Sequence, residues 1–252
     1  LLSAGDVAGV VVEPIQIEGG LRTMSAAYVE ALCELTTKHG VLLIADEVQT
    51  GLGRTGAFLA SSRWPRQPDA VLLAKHLGGG LMPISAMLTH RKLHEQAYGK
   101  NFEMSEAHNC TFGGNAAAVV AAHAALDLLT DDLLAHVATV GAQFREGLRT
   151  ALAGLPLFKE VRGAGLAVGI ELQPIDHPWL SFDHFGMDNL GHHATVGFLF
   201  CHRMYKRGYY CFVCGLDWRV VRILPRFTIT ADELAAFTQA AREELTALGE
   251  LA

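Results

Sequence analysis

The sequence predicts an α/β fold in which a mostly parallel sheet is flanked by helices, followed by a smaller C-terminal α+β domain. Two apolar runs, residues 7–12 and 41–45, are typical of buried strands. Between them, residues 25–39 carry apolar side chains at helical spacing, and Ser25 is a suitable helix cap. A strand, a helix and a second strand in this order form a right-handed βαβ unit, so the two strands should be parallel.

Polar side chains follow two of the apolar runs at the point where the predicted strands end. Asp46 and Gln49 follow residues 41–45, and Lys75 follows residues 70–74. Because parallel α/β sheets bind ligands beyond the carboxyl ends of their strands, these side chains should lie at one edge. A desolvated lysine amine is nucleophilic, and a carboxylate beside it suits the ring nitrogen of pyridoxal phosphate (PLP). A solvated lysine, or an ordinary ion pair between Lys75 and Asp46, would give the same pattern.

Five blocks of sequence occur in the same order as in a known family. They are VEPIQIEGG (12–20), ADEVQTGLGRTG (45–56), LAKHLGGG (73–80), TFGGN (111–115) and GAGLAVGIEL (163–172). These blocks resemble those of the class III aminotransferases, which are PLP enzymes of fold type I. The resemblance extends from about residue 7 to the region around residue 230, and several independent blocks in order make it specific.

The resemblance implies a role for each matching residue around the cofactor. Lys75 would hold PLP as a Schiff base and then move the substrate proton as general base and acid. Asp46 would pair with the pyridinium nitrogen, Val48 would pack on one face of the ring, and Gln49 would hydrogen-bond the ring hydroxyl. Thr111 would bind the cofactor phosphate of the neighbouring subunit, which implies a homodimer. A threonine cap for the following helix is the alternative for Thr111.

The resemblance also implies a substrate-binding pair. Glu18 matches the family's gate glutamate, and Arg222 matches the arginine that binds a substrate carboxylate. Arg226 is an additional cation that could compete with Arg222 or supplement it. Two departures from the family pattern, Ile17 for a glycine and Ala116 for a proline, bear on substrate choice more than on chemistry.

The implied function is PLP-dependent transamination, in which an amino group moves between an amine or amino acid and a keto acid or aldehyde. An aminomutase, a racemase or a decarboxylase of the same family would share Lys75 and Asp46, so these activities stay open. A catalytically silent binding or assembly module is the alternative from another class. The family's N-terminal half has no match here, so the chain is expected to be a fragment that alone binds PLP weakly and shows no transamination.

The rest of the chain is predicted as two domains, with residues 1–153 forming part of the large PLP-binding domain and 154–252 the small domain. Strands are expected at 83–89, 161–172 and 220–229, helices at 116–129, 131–152 and 230–248, and loops at 99–115 and 173–193. The aromatic loop at 173–193 could be a functional lid or an ordinary connection.

Composition excludes several other classes of function. The chain has 252 residues, 20 basic against 26 acidic, with no basic stripe for nucleic acid and no run of about 18 apolar residues for a membrane. The start lacks the features of a signal peptide, and five irregularly spaced cysteines suit free thiols in the cytoplasm.

Cys211 and Cys214 have redox or metal-like spacing, but no second pair accompanies them, so no metal site is expected. Residues 51–56 fit G-x-G-x-x-G without turning directly from strand into helix, which disfavours nicotinamide binding.

Overall fold

The computed structural model describes residues 1–173 and 195–250, and its contacts divide the chain into two compact units. The first unit comprises Leu1–Pro14, Met24–Gly53 and Ala57–Asp131, and the second comprises Ile15–Thr23, Arg54–Gly56 and Asp132–Ala252. Compact units are groups of mutual contacts and not folding domains, so the division after residue 153 stays a prediction. Most of the predicted loop at 173–193 lies outside the described residues.

In the described part of the chain, the strands are β1 (Gly9–Val12), β2 (Ile15–Gln16), β3 (Arg22–Thr23), β4 (Leu42–Asp46), β5 (Ala70–Leu73), β6 (Ala86–Thr89), β7 (Phe158–Ala164), β8 (Ala167–Leu172), β9 (Phe212–Val213) and β10 (Val220–Ile223). The α-helices are α1 (Ala26–His39), α2 (Arg91–Tyr98), α3 (Phe102–Glu106), α4 (Ala116–Asp127), α5 (Asp131–Leu152), α6 (Val196–Lys206) and α7 (Ala231–Gly249).

The first unit is built on a four-stranded sheet in the order β1-β4-β5-β6. Strands β1, β4 and β5 are parallel, and β6 is antiparallel to β5, so the predicted mostly parallel sheet is confirmed. The register aligns Asp46, the last residue of β4, with Leu72 of β5. Helix α1 connects the adjacent strands β1 and β4, as the predicted βαβ unit requires.

Helix ends are set by local capping. The Ser25 hydroxyl accepts from the Tyr28 amide at 3.2 Å, and Gly40 ends α1 with φ 64°, a left-handed conformation that favours glycine. Thr230 and Glu233 form a reciprocal capping box at the start of α7. Asn101 caps α3, a short helix inside the segment that was predicted to be a loop. Its length of five residues gives too little periodicity to detect from the sequence.

The second unit contains an antiparallel sheet in the order β7-β8-β10-β9. The predicted strand at 161–172 is a hairpin, because the chain reverses at Gly165, whose φ of 51° is left-handed. The predicted strand at 220–229 ends early, at Ile223, since Pro225 cannot donate a hydrogen bond to a ladder. Helices α5, α6 and α7 supply much of the core, where the Phe144 and Phe237 rings meet edge to face, 5.8 Å between centroids.

No helix within residues 1–173 and 195–250 has the length and apolar character required to cross a membrane.

Candidate active site

Two candidate site residues lie at the carboxyl edge of the sheet in the first unit. Asp46 is the final residue of β4, and Lys75 follows the neighbouring parallel strand β5 after Ala74. Because Asp46 is in register with Leu72, three residues before Lys75, the two side chains leave the same edge of the sheet from adjacent strands. This is the edge at which parallel α/β sheets bind ligands.

Lys75 has an unusual backbone conformation. Its φ is 47°, in the left-handed region that residues other than glycine rarely adopt, and this costs on the order of 1–3 kcal/mol. It opens a 3₁₀ turn, Lys75–Gly78, that is fixed in place because Leu77 packs with Ala122 of α4 in a buried cluster. Backbone strain of this kind is concentrated at functional sites. The side chain is exposed and forms no ion pair with any described residue.

Asp46 presents a carboxylate that is only partly used. Its Oδ1 accepts from the Val48 amide at 3.0 Å, while Oδ2 has no hydrogen-bond partner within the described ranges. Asp46 and Lys75 do not form an ion pair with each other, so the ordinary ion-pair interpretation of the sequence is not what the structure contains. A half-buried carboxylate oxygen and an unpaired amine therefore remain available at one edge of the sheet.

The residue after Asp46 has a structural role that the sequence did not indicate. Glu47 is fully buried, its Oε1 accepts from the Ser61 amide at 2.6 Å, and its Oε2 accepts from the Thr50 hydroxyl at 2.5 Å. Gly51 packs against it so closely that a Cβ there would lie 2.8 Å from the Glu47 carbonyl oxygen. These contacts fix the turn that carries Val48 and Gln49, both half-buried. The only signal in the sequence was a second carboxylate directly beside the first.

The glycine-rich segment at 51–56 forms turns, and a short 3₁₀ turn, Ala60–Arg63, follows it. A dinucleotide-binding fingerprint requires a strand that turns directly into a helix whose N-terminus meets the pyrophosphate. The structure therefore agrees with the sequence in disfavouring a nicotinamide site.

Thr111 lies in an exposed turn before α4. The cap of α4 is Asn115, whose side chain accepts from the Ala118 amide at 2.9 Å, so the alternative of a capping threonine is wrong. The Thr111 hydroxyl makes no hydrogen bond to a residue in the described part of the chain. Its proposed contact with a neighbouring subunit stays a prediction.

In the second unit, Glu18 and Arg222 form an ion pair. Arg222 stands on β10, between Gly169 of β8 and Phe212 of β9, and burial lowers the pKa of its guanidinium below the usual value. The second oxygen of Glu18, Oε2, accepts from the Gly215 amide at 2.9 Å. Both carboxylate oxygens of Glu18 are thereby used, and the Arg222 charge is neutralised.

Arg226 lies apart from this pair. Its guanidinium donates to both carboxylate oxygens of Glu233, at 2.6 and 2.8 Å, and it does not contact Glu18. Both bonds come from the same nitrogen, Nη2, and with the capping contacts of Thr230 they lower the pKa of the Glu233 carboxyl to about 2. The structure therefore brings Glu18 together with Arg222 and not with Arg226.

Arg54 holds the backbone of the segment that follows Arg222. It is 6% exposed and donates to the Pro225 carbonyl at 2.6 Å and the Leu166 carbonyl at 3.2 Å. Its guanidinium also lies 4.5 Å from the centre of the Phe227 ring. Burial lowers the pKa of Arg54 to about 10. No local pattern in the sequence indicated this contact, because Arg54 and Pro225 are 171 residues apart.

Comparisons with known proteins agree with this architecture. Residues 2–245 match the family model for class-III aminotransferases. An ornithine aminotransferase from Toxoplasma gondii ME49 is similar in structure, with a TM-score of 0.81 and 33% identity over 99% of this chain. An acetylornithine aminotransferase from Elizabethkingia anophelis has a TM-score of 0.80 and 30% identity over 97% of this chain. The chain spans 53% and 56% of these two proteins, about half of their length.

The chain belongs to the class III aminotransferase family. A second structure of the Toxoplasma gondii ornithine aminotransferase, 32% identical over 99% of this chain and 53% of its own, with a TM-score of 0.82, has PLP at partial occupancy in its active site. The family thus implies PLP, and the residues present here fit that group. An open carboxylate oxygen suits a protonated ring nitrogen, and an unpaired lysine amine suits an aldehyde.

Proposed function

We propose that this chain is the catalytic part of a PLP-dependent aminotransferase that moves an amino group between an amine or amino acid and a keto acid or aldehyde. One observation carries the proposal: Lys75 in a left-handed conformation at the end of β5, with the open Asp46 carboxylate at the end of the adjacent parallel strand. Family membership supports the same activity. When bound, PLP supplies an aldehyde that condenses with amines and a ring that delocalises electrons.

In this proposal, the residues of the first unit hold and orient the cofactor. The Lys75 Nζ would hold the cofactor through its aldehyde and would carry the proton at the substrate carbon as general base and acid. The Asp46 Oδ2 would hold the protonated ring nitrogen, Val48 would lie against the ring, and Gln49 would hydrogen-bond the ring hydroxyl. The buried contacts of Glu47 support these roles because they fix the turn that carries Val48 and Gln49.

The proposal assigns Glu18 and Arg222 to substrate binding. With the pair closed, Arg222 is neutralised and an uncharged substrate end is favoured. With the pair open, the planar guanidinium can bind a carboxylate with two hydrogen bonds. The observed ion pair supports the closed state. Arg226 is a weaker candidate, since Glu233 already occupies its guanidinium.

Assembly and location form the last part of the proposal. We infer a homodimer in which Thr111 binds the phosphate of the neighbouring subunit's cofactor, supported by the exposure of its hydroxyl in a glycine-rich turn. A cytoplasmic location is supported by all five cysteines, each of which is a free thiol.

The activity is tested on the full-length protein loaded with PLP. Amines and amino acids, including ornithine and acetylornithine, are screened against pyruvate and 2-oxoglutarate, and the products are analysed with and without the keto acid. Formation of a new amino acid that depends strictly on the keto acid supports transamination. Products formed equally well without a keto acid would favour an aminomutase, a racemase or a decarboxylase, and would overturn the proposal.

A further inference from the structure

Two cysteines of the second unit lie in contact. Cys201, on α6, is half-buried, and Cys211, just before β9, is 7% exposed. Their sulfur atoms are 3.9 Å apart and share an S–H hydrogen bond. The spacing of Cys211 and Cys214 in the sequence suggests a different pair, so the structure changes which two thiols belong together.

Cys214 faces a different environment from Cys211. It is fully buried and packs with Ile15, Ile17 and Leu21, whereas Cys211 packs into the core formed by α5, α6 and α7. Burial raises the pKa of Cys214 to about 12, which keeps it a protonated, unreactive thiol at neutral pH. Because the two side chains lie in separate hydrophobic clusters, the Cys211-Phe-Val-Cys214 motif is not a dithiol site.

The contact between Cys201 and Cys211 makes the two thiols chemically unequal. Their shared hydrogen bond lowers the pKa of Cys211 in spite of its burial. The same hydrogen bond, together with burial, raises the pKa of Cys201. The thiolate is the nucleophilic form, and attack by either thiol leads to the same Cys201–Cys211 disulfide because the two sulfur atoms are in contact.

We propose that Cys201 and Cys211 form a reversible dithiol–disulfide modification site whose oxidant is hydrogen peroxide or another small hydroperoxide. A small oxidant is required because Cys211 is almost completely buried. The sulfur atoms must approach each other by about 2 Å to reach the disulfide bond length. Cys201 on α6 and Cys211, directly before the two-residue strand β9, already touch, so rotation of their side chains would supply this movement.

The chemistry balances in two steps. The thiolate of one cysteine attacks one oxygen of hydrogen peroxide, the O–O bond breaks, and a sulfenic acid and hydroxide form. The sulfur of the other cysteine then attacks the sulfenic acid sulfur, the S–S bond forms, and the S–O bond breaks. The two thiol protons end in water, so that two thiols and one peroxide give one disulfide and two water molecules. The sulfur atoms lose two electrons in total, and the peroxide gains them.

The site lies beside the Glu18–Arg222 pair. Phe212, which follows Cys211, is paired with Arg222, and Gly215, just beyond β9, donates to Glu18. A disulfide would link α6 covalently to Cys211, the residue directly before β9. This is the strand that pairs with Arg222 and that leads to Gly215, the donor to Glu18. The inference does not depend on the proposed activity, because the product is identified by its covalent structure.

The test is a disulfide map of the full-length wild-type protein. The protein is treated with hydrogen peroxide, free thiols are alkylated, and tryptic peptides are sequenced by mass spectrometry without reduction. The expected product joins peptide 163–203 to peptide 208–219, and fragmentation between Phe212 and Val213 locates the bond on Cys211 rather than Cys214. Dithiothreitol should reverse it. A disulfide within peptide 208–219, or oxidation of Cys201 and Cys211 only to separate sulfinic acids, would overturn the proposal.

Variants provide a matched control for the map. Cys201→Ser and Cys211→Ser should each abolish the cross-linked peptide, whereas Cys33→Ser, a buried cysteine of the first unit, should leave it unchanged. A cross-link that persists in Cys201→Ser would contradict the pairing. Since the wild-type map requires no substitution, a variant that fails to fold does not affect the test.

Discussion

The two charged regions differ in how their charges are satisfied. At the sheet edge of the first unit, the Lys75 amine and one oxygen of Asp46 have no partner within the described residues. In the second unit, both oxygens of Glu18 are engaged, one by the Arg222 guanidinium and one by the Gly215 amide. The first region therefore has an open carboxylate oxygen and an open amine, whereas the charges of Glu18 and Arg222 are paired with each other.

This difference suits two kinds of ligand. Half-burying a carboxylate oxygen without a hydrogen-bond partner is costly, so the open oxygen of Asp46 suits a site for a permanently bound cationic group. A partly exposed ion pair is worth about 1 kcal/mol or less, so a competing carboxylate can displace it. We therefore propose that the first region is a fixed cofactor site and the second an exchangeable substrate site.

The largest expected effect is at Asp46. In Asp46→Asn the ring nitrogen loses the charge that keeps it protonated, so the proton-transfer step should slow by about 10²-fold or more. Single-turnover kinetics of the PLP-loaded, full-length protein measure this step. Near-normal turnover would show that Asp46 has no electrostatic role in the chemistry.

Glu47→Gln is the matched control, because it removes the adjacent carboxylate charge. The amide cannot accept both the Ser61 amide hydrogen and the Thr50 hydroxyl hydrogen, so one buried donor loses its partner. The free energy of unfolding should fall by roughly 1–3 kcal/mol, while the proton-transfer rate of the folded protein changes far less than in Asp46→Asn. Urea titration gives the stability. Equal kinetic losses in both variants would remove the distinction between the two carboxylates.

In the second region, the geometry of Arg222 should matter as well as its charge. Arg222→Lys keeps the charge but loses the planar fork, so kcat/KM for acidic acceptors should fall about tenfold more than for uncharged amines. Arg226→Lys is the control, and it should leave this ratio unchanged because Glu233 binds that side chain. A larger effect at Arg226 would transfer the carboxylate-binding role to it.

Glu18→Gln should act in the opposite direction. Without the glutamate charge, Arg222 is no longer neutralised, and KM for acidic substrates should fall roughly fivefold, equivalent to about 1 kcal/mol. The effect should weaken as ionic strength rises. An increase in KM for acidic substrates would mean that Glu18 supports carboxylate binding and does not compete with it.

The last effect is on stability rather than on activity, and it concerns the sheet that carries Arg222. Glu171 on β8 is 2% exposed and is paired with Lys159 and Arg162. Burial alone would raise the pKa of its carboxyl, but these partners outweigh burial, and the pKa lies below the usual 4.5. Its stabilising contribution is therefore complete above pH 4.5 and is lost as the pH falls through the lower pKa of the folded state.

In Glu171→Gln, the free energy of unfolding should accordingly depend less on pH in the acidic range than it does in the wild type. The free energy of unfolding, measured by urea titration at several pH values, should differ from the wild type by roughly 1–3 kcal/mol at neutral pH and by less in acid. A constant difference across the pH range would exclude the ion pairs as its cause.

The sequence predicted features that depend on neighbouring residues. The ends of β4 and β5, the cap Ser25, and the length of α5 follow from periodicity and local chemistry. Register in a parallel sheet then aligned Asp46 with the strand that precedes Lys75.

Side-chain contacts between separate elements could not be predicted. The pairing of Arg54 with the Pro225 carbonyl joins residues 171 apart, and the contact between Cys201 and Cys211 depends on how α6 packs against the segment before β9. The engagement of Arg226 by Glu233 is closer in the sequence, but it depends on how the segment before α7 folds back on that helix. The Cys211-x-x-Cys214 spacing is also uninformative about contact, because its two side chains pack in different hydrophobic clusters. The separation of two residues in the sequence does not determine which hydrophobic cluster each side chain packs into.

Covalent mapping of the cofactor tests the central proposal most directly. The full-length protein, loaded with PLP, is reduced with borohydride and digested with trypsin. The reduced cofactor should appear on peptide 67–91, which stays uncleaved at the modified Lys75. It should be lost in Lys75→Ala and kept in Lys92→Ala, a control at an exposed lysine of α2. Reduced cofactor on any other lysine, or its persistence in Lys75→Ala, would contradict the assignment of this sheet edge as the cofactor site.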